Sequence, residues 1–138
     1  MPDAGASHGL LDTSVLIDLG GIDPDALPQR ISISAITMAE LAAAPHATDD
    51  LAERARRQDR LQRAESTFDP LPFDADAARA YGRIYASVLA AGRKPRGRRA
   101  ADLLIAATAL ANDLPVYTRN PDDFVHLDGV RVVAIDAT

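Results

Sequence analysis

The sequence contains no cysteine, no tryptophan and a single lysine, Lys94. Without cysteine it can form neither a disulfide framework nor a zinc ribbon, and nothing in it depends on an oxidising compartment. The three histidines, His8, His46 and His126, do not have metal-binding spacing. Residues 1–8 lack a signal-peptide pattern, and no apolar run approaches the length that spans a bilayer. We therefore expect a cytoplasmic protein with no membrane association.

Length and composition predict one globular domain over residues 1–138. A chain of 138 residues with 47% hydrophobic and 25% charged residues can bury a single core. The net charge of −5 argues against a protein that coats nucleic acid. Five cations are nevertheless concentrated in the segment 92–99, which we consider a candidate RNA-binding loop or a solvated loop: Arg93, Lys94, Arg96, Arg98 and Arg99.

Strand and helix patterns alternate along the chain. Short apolar or alternating runs predict strands at 9–11, 31–34, 116–118 and 131–135, with a possible short strand at 70–73. Helical spacing predicts helices over 15–19, 37–44, 48–68, 100–110 and after Asp74. Such alternation indicates an α/β fold whose central, mostly parallel sheet is covered on both faces.

Three carboxylates near strand ends have ordinary explanations when taken one at a time. Asp12 follows a strand and could cap the next helix. Glu40 stands three residues after Thr37, so the pair could form a capping box. Asp123 could stabilise the first turn of a short helix after Pro121. None of the three is diagnostic alone.

A fourth carboxylate, Asp102, lies within an otherwise apolar helical pattern. An unpaired buried charge costs several kcal/mol by rough estimate, so Asp102 needs a partner. Arg98 and Arg99, four and three residues earlier, could supply a structural ion pair. A bound cation is the alternative.

Position suggests that the four acids belong together. Parallel sheets bind ligands at the carboxyl ends of their strands, where Asp12, Glu40 and Asp123 are expected. Four carboxylates in one pocket would repel one another unless a cation neutralised them. Oxygen ligands without cysteine or organised histidine favour Mg²⁺ or Mn²⁺.

At this point the sequence resembles the PIN-domain ribonucleases, specifically the toxin component of VapBC-type toxin–antitoxin pairs. The resemblance covers almost the whole chain and is carried by four segments in order. They are Leu10-Leu11-Asp12-Thr13-Ser14-Val15-Leu16-Ile17, Thr37-Met38-Ala39-Glu40-Leu41, Ala101-Asp102-Leu103-Leu104-Ile105-Ala106-Ala107-Thr108-Ala109 and Val116-Tyr117-Thr118-Arg119-Asn120-Pro121-Asp122-Asp123-Phe124.

The resemblance implies a three-layer α/β/α fold and a Mg²⁺- or Mn²⁺-dependent endoribonuclease. The catalytic and metal-binding roles then fall to Asp12, Glu40, Asp102 and Asp123. Four residues would support them, namely Thr13, Ser14, Thr118 and Asn120. Asp122 adjoins Asp123, but the acid immediately before the aromatic residue matches the family motif. Asp18 is assigned to a solvated helix face.

The resemblance also implies an RNA substrate, a homodimer and a VapB-type antitoxin whose C-terminal segment blocks the acids. Two alternatives stay open: a PIN-like module that binds RNA or protein without cutting, and an RNA-processing nuclease outside a toxin–antitoxin system. A phosphoacceptor domain fits less well, because it requires an early acidic pair and a lysine after a late strand. A haloacid-type phosphatase is disfavoured because Asp12 is followed by Thr13-Ser14 instead of an Asp-x-Asp signature.

Overall fold

The computed structural model describes residues 7–94 and 98–136, without the side chains of Arg98 and Arg99. The predicted RNA contact Arg96 and the side chains of Arg98 and Arg99 therefore lie outside the described residues. Arg93 and Lys94 are described, and both come after the turn that ends the fourth helix.

Four parallel strands form one sheet in the order β2-β1-β3-β4. They are β1 (His8–Leu11), β2 (Arg30–Ser32), β3 (Val116–Thr118) and β4 (Val132–Ala134). This confirms the parallel sheet expected from the sequence. At 70–73 only an isolated bridge forms, between Ser34 and Leu71. Prolines on either side of Leu71 lack the N–H groups that a strand needs to extend its ladder.

In the part of the chain that the structure describes, five helices surround the sheet: α1 (Thr13–Ile17), α2 (Ala35–Ala43), α3 (Leu51–Thr67), α4 (Ala75–Ala90) and α5 (Arg98–Ala111). Short 3-10 turns occupy Leu19–Gly21, Pro24–Ala26, Ala44–Ala47 and Pro121–Phe124. As predicted, Asp74 caps α4, accepting the backbone N–H of Ala77 at 3.0 Å. Among the described residues, no helix is long and apolar enough to cross a membrane.

Helix α2 begins earlier than the sequence predicts. Its N-cap is Ser34, whose hydroxyl accepts the backbone N–H of Thr37 at 3.0 Å. The capping box proposed for Thr37 and Glu40 is therefore wrong, because Thr37 already lies in the first turn and its amide is taken. Glu40 lies in the second turn and is exposed. The Glu40 side chain is therefore not used in a helix cap and is available for a contact outside α2.

Two hydrophobic clusters lie on opposite faces of the sheet because strand side chains alternate. Leu10 and Val116 pack with α4 and α5, whereas Leu11 and Tyr117 pack with α1, α2 and α3. The Tyr117 ring lies so close to Gly9 that a Cβ there would be 2.4 Å from the ring. The layers are thus helices, sheet and helices, which confirms the α/β/α prediction.

The edge pair of strands carries a titratable contact. The Nε2 atom of His8 on β1 lies 2.6 Å from the Ser32 hydroxyl on β2. Partial burial lowers the pKa of His8, and the neighbouring positive charge of Arg30 lowers it further. The folded protein consequently favours the neutral imidazole.

The strand order creates a crevice next to β1. The chain passes from β1 to β2 on one side and later returns to β3 on the other. A topological switch point therefore lies between β1 and β3, where loops after the two strands diverge. Open parallel sheets bind ligands outside the carboxyl ends of strands at such a point.

Candidate active site

A cavity of about 210 Å³ opens at the carboxyl ends of β1 and β3. All four predicted acids line it, namely Asp12, Glu40, Asp102 and Asp123. Three of the predicted supporting residues also line it: Thr13, Ser14 and Asn120. The fourth, Thr118, is fully buried behind Asp12. Residues that are far apart in the sequence, from Asp12 to Asp123, therefore meet in one cavity.

Asp12 is the most enclosed of the four acids, with 4% of its surface exposed. It caps α1 by accepting the backbone N–H of Val15 at 3.2 Å. The same carboxylate accepts the Ser14 hydroxyl at 2.6 Å on Oδ1 and the Thr118 hydroxyl at 2.6 Å on Oδ2. Three donors hold the side chain in one orientation. The Asp12 carboxylate therefore caps α1 and also lines the cavity.

Thr118 and Ser14 connect Asp12 to the loop after β3. The Thr118 hydroxyl accepts the backbone N–H of Asn120 at 2.9 Å while it donates to Asp12. The Ser14 hydroxyl accepts the backbone N–H of Arg119 at 3.2 Å. These bonds set where the loop leaves β3, and hence where Asn120 faces the cavity.

Thr13 and Ser14 serve different acids. The sequence did not distinguish which of the two hydroxyls supports Asp12; in the structure it is Ser14. Thr13 instead donates to Oε1 of Glu40 at 2.5 Å, across the gap between α1 and α2. Its oxygen also lies 3.0 Å from the hydroxyl of Thr37. From the sequence, Thr37 was expected in a helix cap and in the segment that carries Glu40, without a contact to Thr13.

Asp123 and Asp122 lie on one 3-10 turn but face different ways. Asp123 lines the cavity and is half-buried, whereas Asp122 is exposed. Phe124, with 1% exposure, anchors the turn in the core, and the backbone N–H of Asp123 bonds Asn120 at 3.0 Å. The adjacent pair provides a matched comparison of one acid inside the cavity and one outside it.

Asp102 lies near the start of α5 and is half-buried where the helix borders the cavity. The residues that follow it, from Ile105 to Ala109, are fully buried. The alternative ion pair with Arg98 or Arg99 concerns side chains outside the described residues. The place of Asp102 on the cavity wall is consistent with a role that it shares with the other three acids.

Asp18 is exposed, as its predicted place on a solvated helix face implies, but it also has a partner that the sequence did not indicate. It ends α1 and forms an ion pair with Arg119, the residue between Thr118 and Asn120. The Arg119 side chain is 24% exposed and that of Asp18 is 51% exposed. The pair therefore joins α1 to the loop after β3 at the cavity rim.

The donor set suits a hard divalent cation. Carboxylates, hydroxyls and an amide line the cavity, and oxygen ligands of this kind bind Mg²⁺ or Mn²⁺. As placed, no three carboxylate, histidine or cysteine side chains within 7–94 and 98–136 are grouped tightly enough to enclose an ion. Mg²⁺ needs no such cage, because it keeps several waters and takes one or two carboxylates directly.

Positive charge lies beside the acids, in addition to the cations of the segment 92–99, which we call the basic loop. A second cavity, of about 460 Å³, adjoins the first and shares Ile17 with it. Three arginines of α3 line this second cavity, namely Arg56, Arg60 and Arg63, together with Asp59. Arg56 forms an ion pair with Glu53, and Arg63 forms one with Asp59, so part of this positive charge is neutralised locally. Sequence reasoning interpreted α3 only as a charged surface helix, because nothing in its spacing indicates which neighbour it faces.

Comparisons with known proteins agree with this geometry. The PIN domain family profile matches residues 9–130. Ribonuclease VapC5 of Mycobacterium tuberculosis is 39% identical over 134 residues, covering 92% of this chain and 93% of that protein. Ribonuclease VapC8 of the same species is 39% identical over 111 residues, covering 79% and 96%. A crystal structure of VapBC-5, a member of the VapBC family of toxin–antitoxin systems from M. tuberculosis, superposes with a TM-score of 0.80 at 37% identity, covering 93% and 98%.

Proposed function

Because this chain belongs to the PIN-domain family, we propose that it is a metal-dependent endoribonuclease and the toxin of a VapBC-type toxin–antitoxin pair. One observation carries the proposal: four acids from distant segments line a single cavity at the switch point of a parallel sheet. The PIN-domain profile matches residues 9–130, so the resemblance includes the segments that carry all four acids.

The chemistry follows from the side chains that line the cavity. A divalent ion held there would supply an activated water and would neutralise charge on the scissile phosphate. Asp12, Glu40, Asp102 and Asp123 would hold the ion directly or through water. Ser14 and Thr118 keep Asp12 oriented, because both of its oxygens accept their hydroxyl protons. This prearrangement limits the reorganisation needed when ion and substrate arrive.

We expect cationic side chains to bind the RNA phosphates. Arg93 and Lys94 begin the basic loop, and Arg56, Arg60 and Arg63 line the adjoining cavity. Phosphate contacts of this kind neutralise charge and make binding salt-dependent. Reversing Arg96 and Arg98 to glutamate should weaken RNA binding and flatten its dependence on salt; unchanged binding would remove the loop from the proposal.

The same proposal includes partners. Solved structures that resemble this chain include VapBC complexes, so a VapB-type antitoxin is the expected partner. We also propose a homodimer and a cytoplasmic location. Co-expression with the product of a short neighbouring gene tests the antitoxin: it should restore growth of cells that express this chain. Light scattering of the purified chain tests the dimer.

Cleavage of structured RNA with Mg²⁺ or Mn²⁺ tests the activity. We expect the cleavage rate to fall in each of three variants, Asp12→Ala, Asp102→Ala and Asp123→Asn. The loss should be at least roughly 10- to 100-fold, which is the usual cost of removing an outer partner of a metal ligand. Asp122→Asn is the matched control, and it should cleave like the wild type. Full activity in Asp12→Ala and Asp102→Ala would refute the site. RNA binding without cleavage by the wild type would instead indicate a binding module.

A further inference from the structure

Resting on the proposed metal site, we propose that Thr37 is a positioning residue that orients Glu40 through the hydroxyl of Thr13. Thr37 is fully buried in the first turn of α2 and lines no part of the cavity. Its hydroxyl lies 3.0 Å from that of Thr13, and Thr13 lies 2.5 Å from Glu40. Thr37 therefore acts on Glu40 only through Thr13.

The direction of each hydrogen bond follows from counting protons. An ionised carboxylate only accepts, so the one hydroxyl proton of Thr13 must point to Glu40. Thr13 can then only accept from Thr37, which makes Thr37 the donor in that bond. Thr37 in turn accepts from the Ser34 hydroxyl at 3.4 Å, a long and weaker contact. All protons in the chain thus point toward Glu40.

The start of this chain is anchored in backbone. The Ser34 hydroxyl accepts the Thr37 N–H as the cap of α2, and Ser34 is itself fully buried. Glu40, in contrast, is exposed and carries three rotatable bonds. Without the chain its carboxylate would sample many rotamers, each placing the oxygens differently relative to the cavity. A line of fixed hydroxyls selects one of them.

Thr37→Val removes the hydroxyl and keeps the shape, so it isolates this effect. Titration of the metal-free protein with Mn²⁺ should give an affinity about 10- to 100-fold weaker than wild type, as for other outer partners of metal ligands. Thr37→Ser restores the hydroxyl and should recover most of the affinity. Thr108→Val is the matched control, since Thr108 is equally buried but donates only to Leu104 within α5.

A double-mutant cycle with Glu40→Gln tests the route of the effect. If Thr37 acts through Glu40, Thr37→Val should change Mn²⁺ affinity little in the Glu40→Gln background. Three outcomes would overturn the proposal: wild-type affinity in Thr37→Val, no rescue by serine, or an equal loss in both backgrounds. A loss in Thr108→Val as large as in Thr37→Val would also overturn it.

Crystals of metal-free wild type and Thr37→Val separate this proposal from the proposed function. Glu40 should be ordered against Thr13 in the wild type and spread over several rotamers in the variant. An unchanged Glu40 rotamer would refute the role of Thr37 whether or not the protein cleaves RNA. Failure of the wild type to bind Mn²⁺ would refute the metal site, and the Glu40 rotamer would still decide the role of Thr37.

Discussion

Thr118→Val replaces one hydroxyl at the centre of the candidate site by a methyl group and nearly preserves the shape of the side chain. Thr118 is fully buried, donates to Asp12 at 2.6 Å and accepts the backbone N–H of Asn120 at 2.9 Å. Losing a hydrogen bond to a charged acceptor costs about 1.5–3 kcal/mol. The added methyl recovers at most about 0.8 kcal/mol. A net loss of about 1–2 kcal/mol in the free energy of unfolding follows.

Urea unfolding of the metal-free protein measures this change directly, provided that the m-value stays constant. In a thermal scan the loss corresponds to a fall in Tm of roughly 3–8 °C for a chain of this size. Thr108→Val is again the control. Its hydroxyl bonds the Leu104 carbonyl, which the helix already pairs with a backbone N–H, so we expect a change within about 0.5 kcal/mol.

The two variants together decide whether Thr118 stabilises Asp12. An unfolding free energy for Thr118→Val within about 0.5 kcal/mol of wild type would show that the bond from Thr118 to Asp12 does not stabilise the fold, because a change of this size lies inside the range of ordinary surface changes. Equal losses in the two variants would mean that removing any buried threonine hydroxyl has this cost, so the loss would not be specific to the contact with Asp12.

Further predictions concern packing, pH and metal. Gly9→Ala should cost about 1–3 kcal/mol in urea unfolding, because the new Cβ would lie 2.4 Å from the Tyr117 ring. Gly82→Ala, in open space on α4, should stabilise the protein by about 0.5–1 kcal/mol. An equal change in unfolding free energy for Gly9→Ala and Gly82→Ala would contradict both predictions. Because the folded pKa of His8 is lowered, the unfolded state binds more protons below its ordinary 6.5, so the free energy of unfolding should fall as pH drops from 6.5 toward the folded pKa. A His8→Gln variant that keeps that slope would exclude His8 as its source. Mn²⁺ at about 100 times its Kd should add about 2.7 kcal/mol of stability, and Asp12→Asn should abolish the gain; an equal gain in both would place the ion elsewhere.

The sequence predicted the sheet and the convergence of the acids because both depend on local patterns. Apolar runs ending in Asp12 and before Asp123 mark strand ends, and parallel strands bring those ends to one edge. The prediction at 70–73 was weaker, since the single bridge at Leu71 depends on an encounter with Ser34 from a distant segment.

The sequence could not predict how the hydroxyls are shared. Thr13 and Ser14 are adjacent and chemically alike, and their partners differ only because Glu40 lies across the gap on α2. The capping box failed for a related reason. Ser34 and Thr37 have the same spacing as Thr37 and Glu40, and either could begin a helix. Ser34 and Thr37 are both fully buried, and their burial favoured the earlier start.

The hydrogen bond between Asp12 and Thr118 joins residues 106 positions apart. During translation at about 5–20 residues per second, roughly 5–20 s separate the emergence of these two groups from the ribosome. A nascent chain thus carries Asp12 well before the strand that completes its surroundings exists. Fragments from interrupted synthesis lack β3 and the turn with Asp123, so they cannot build the cavity. A growth-inhibiting enzyme built this way would become active only after β3 and the turn with Asp123 have been synthesised.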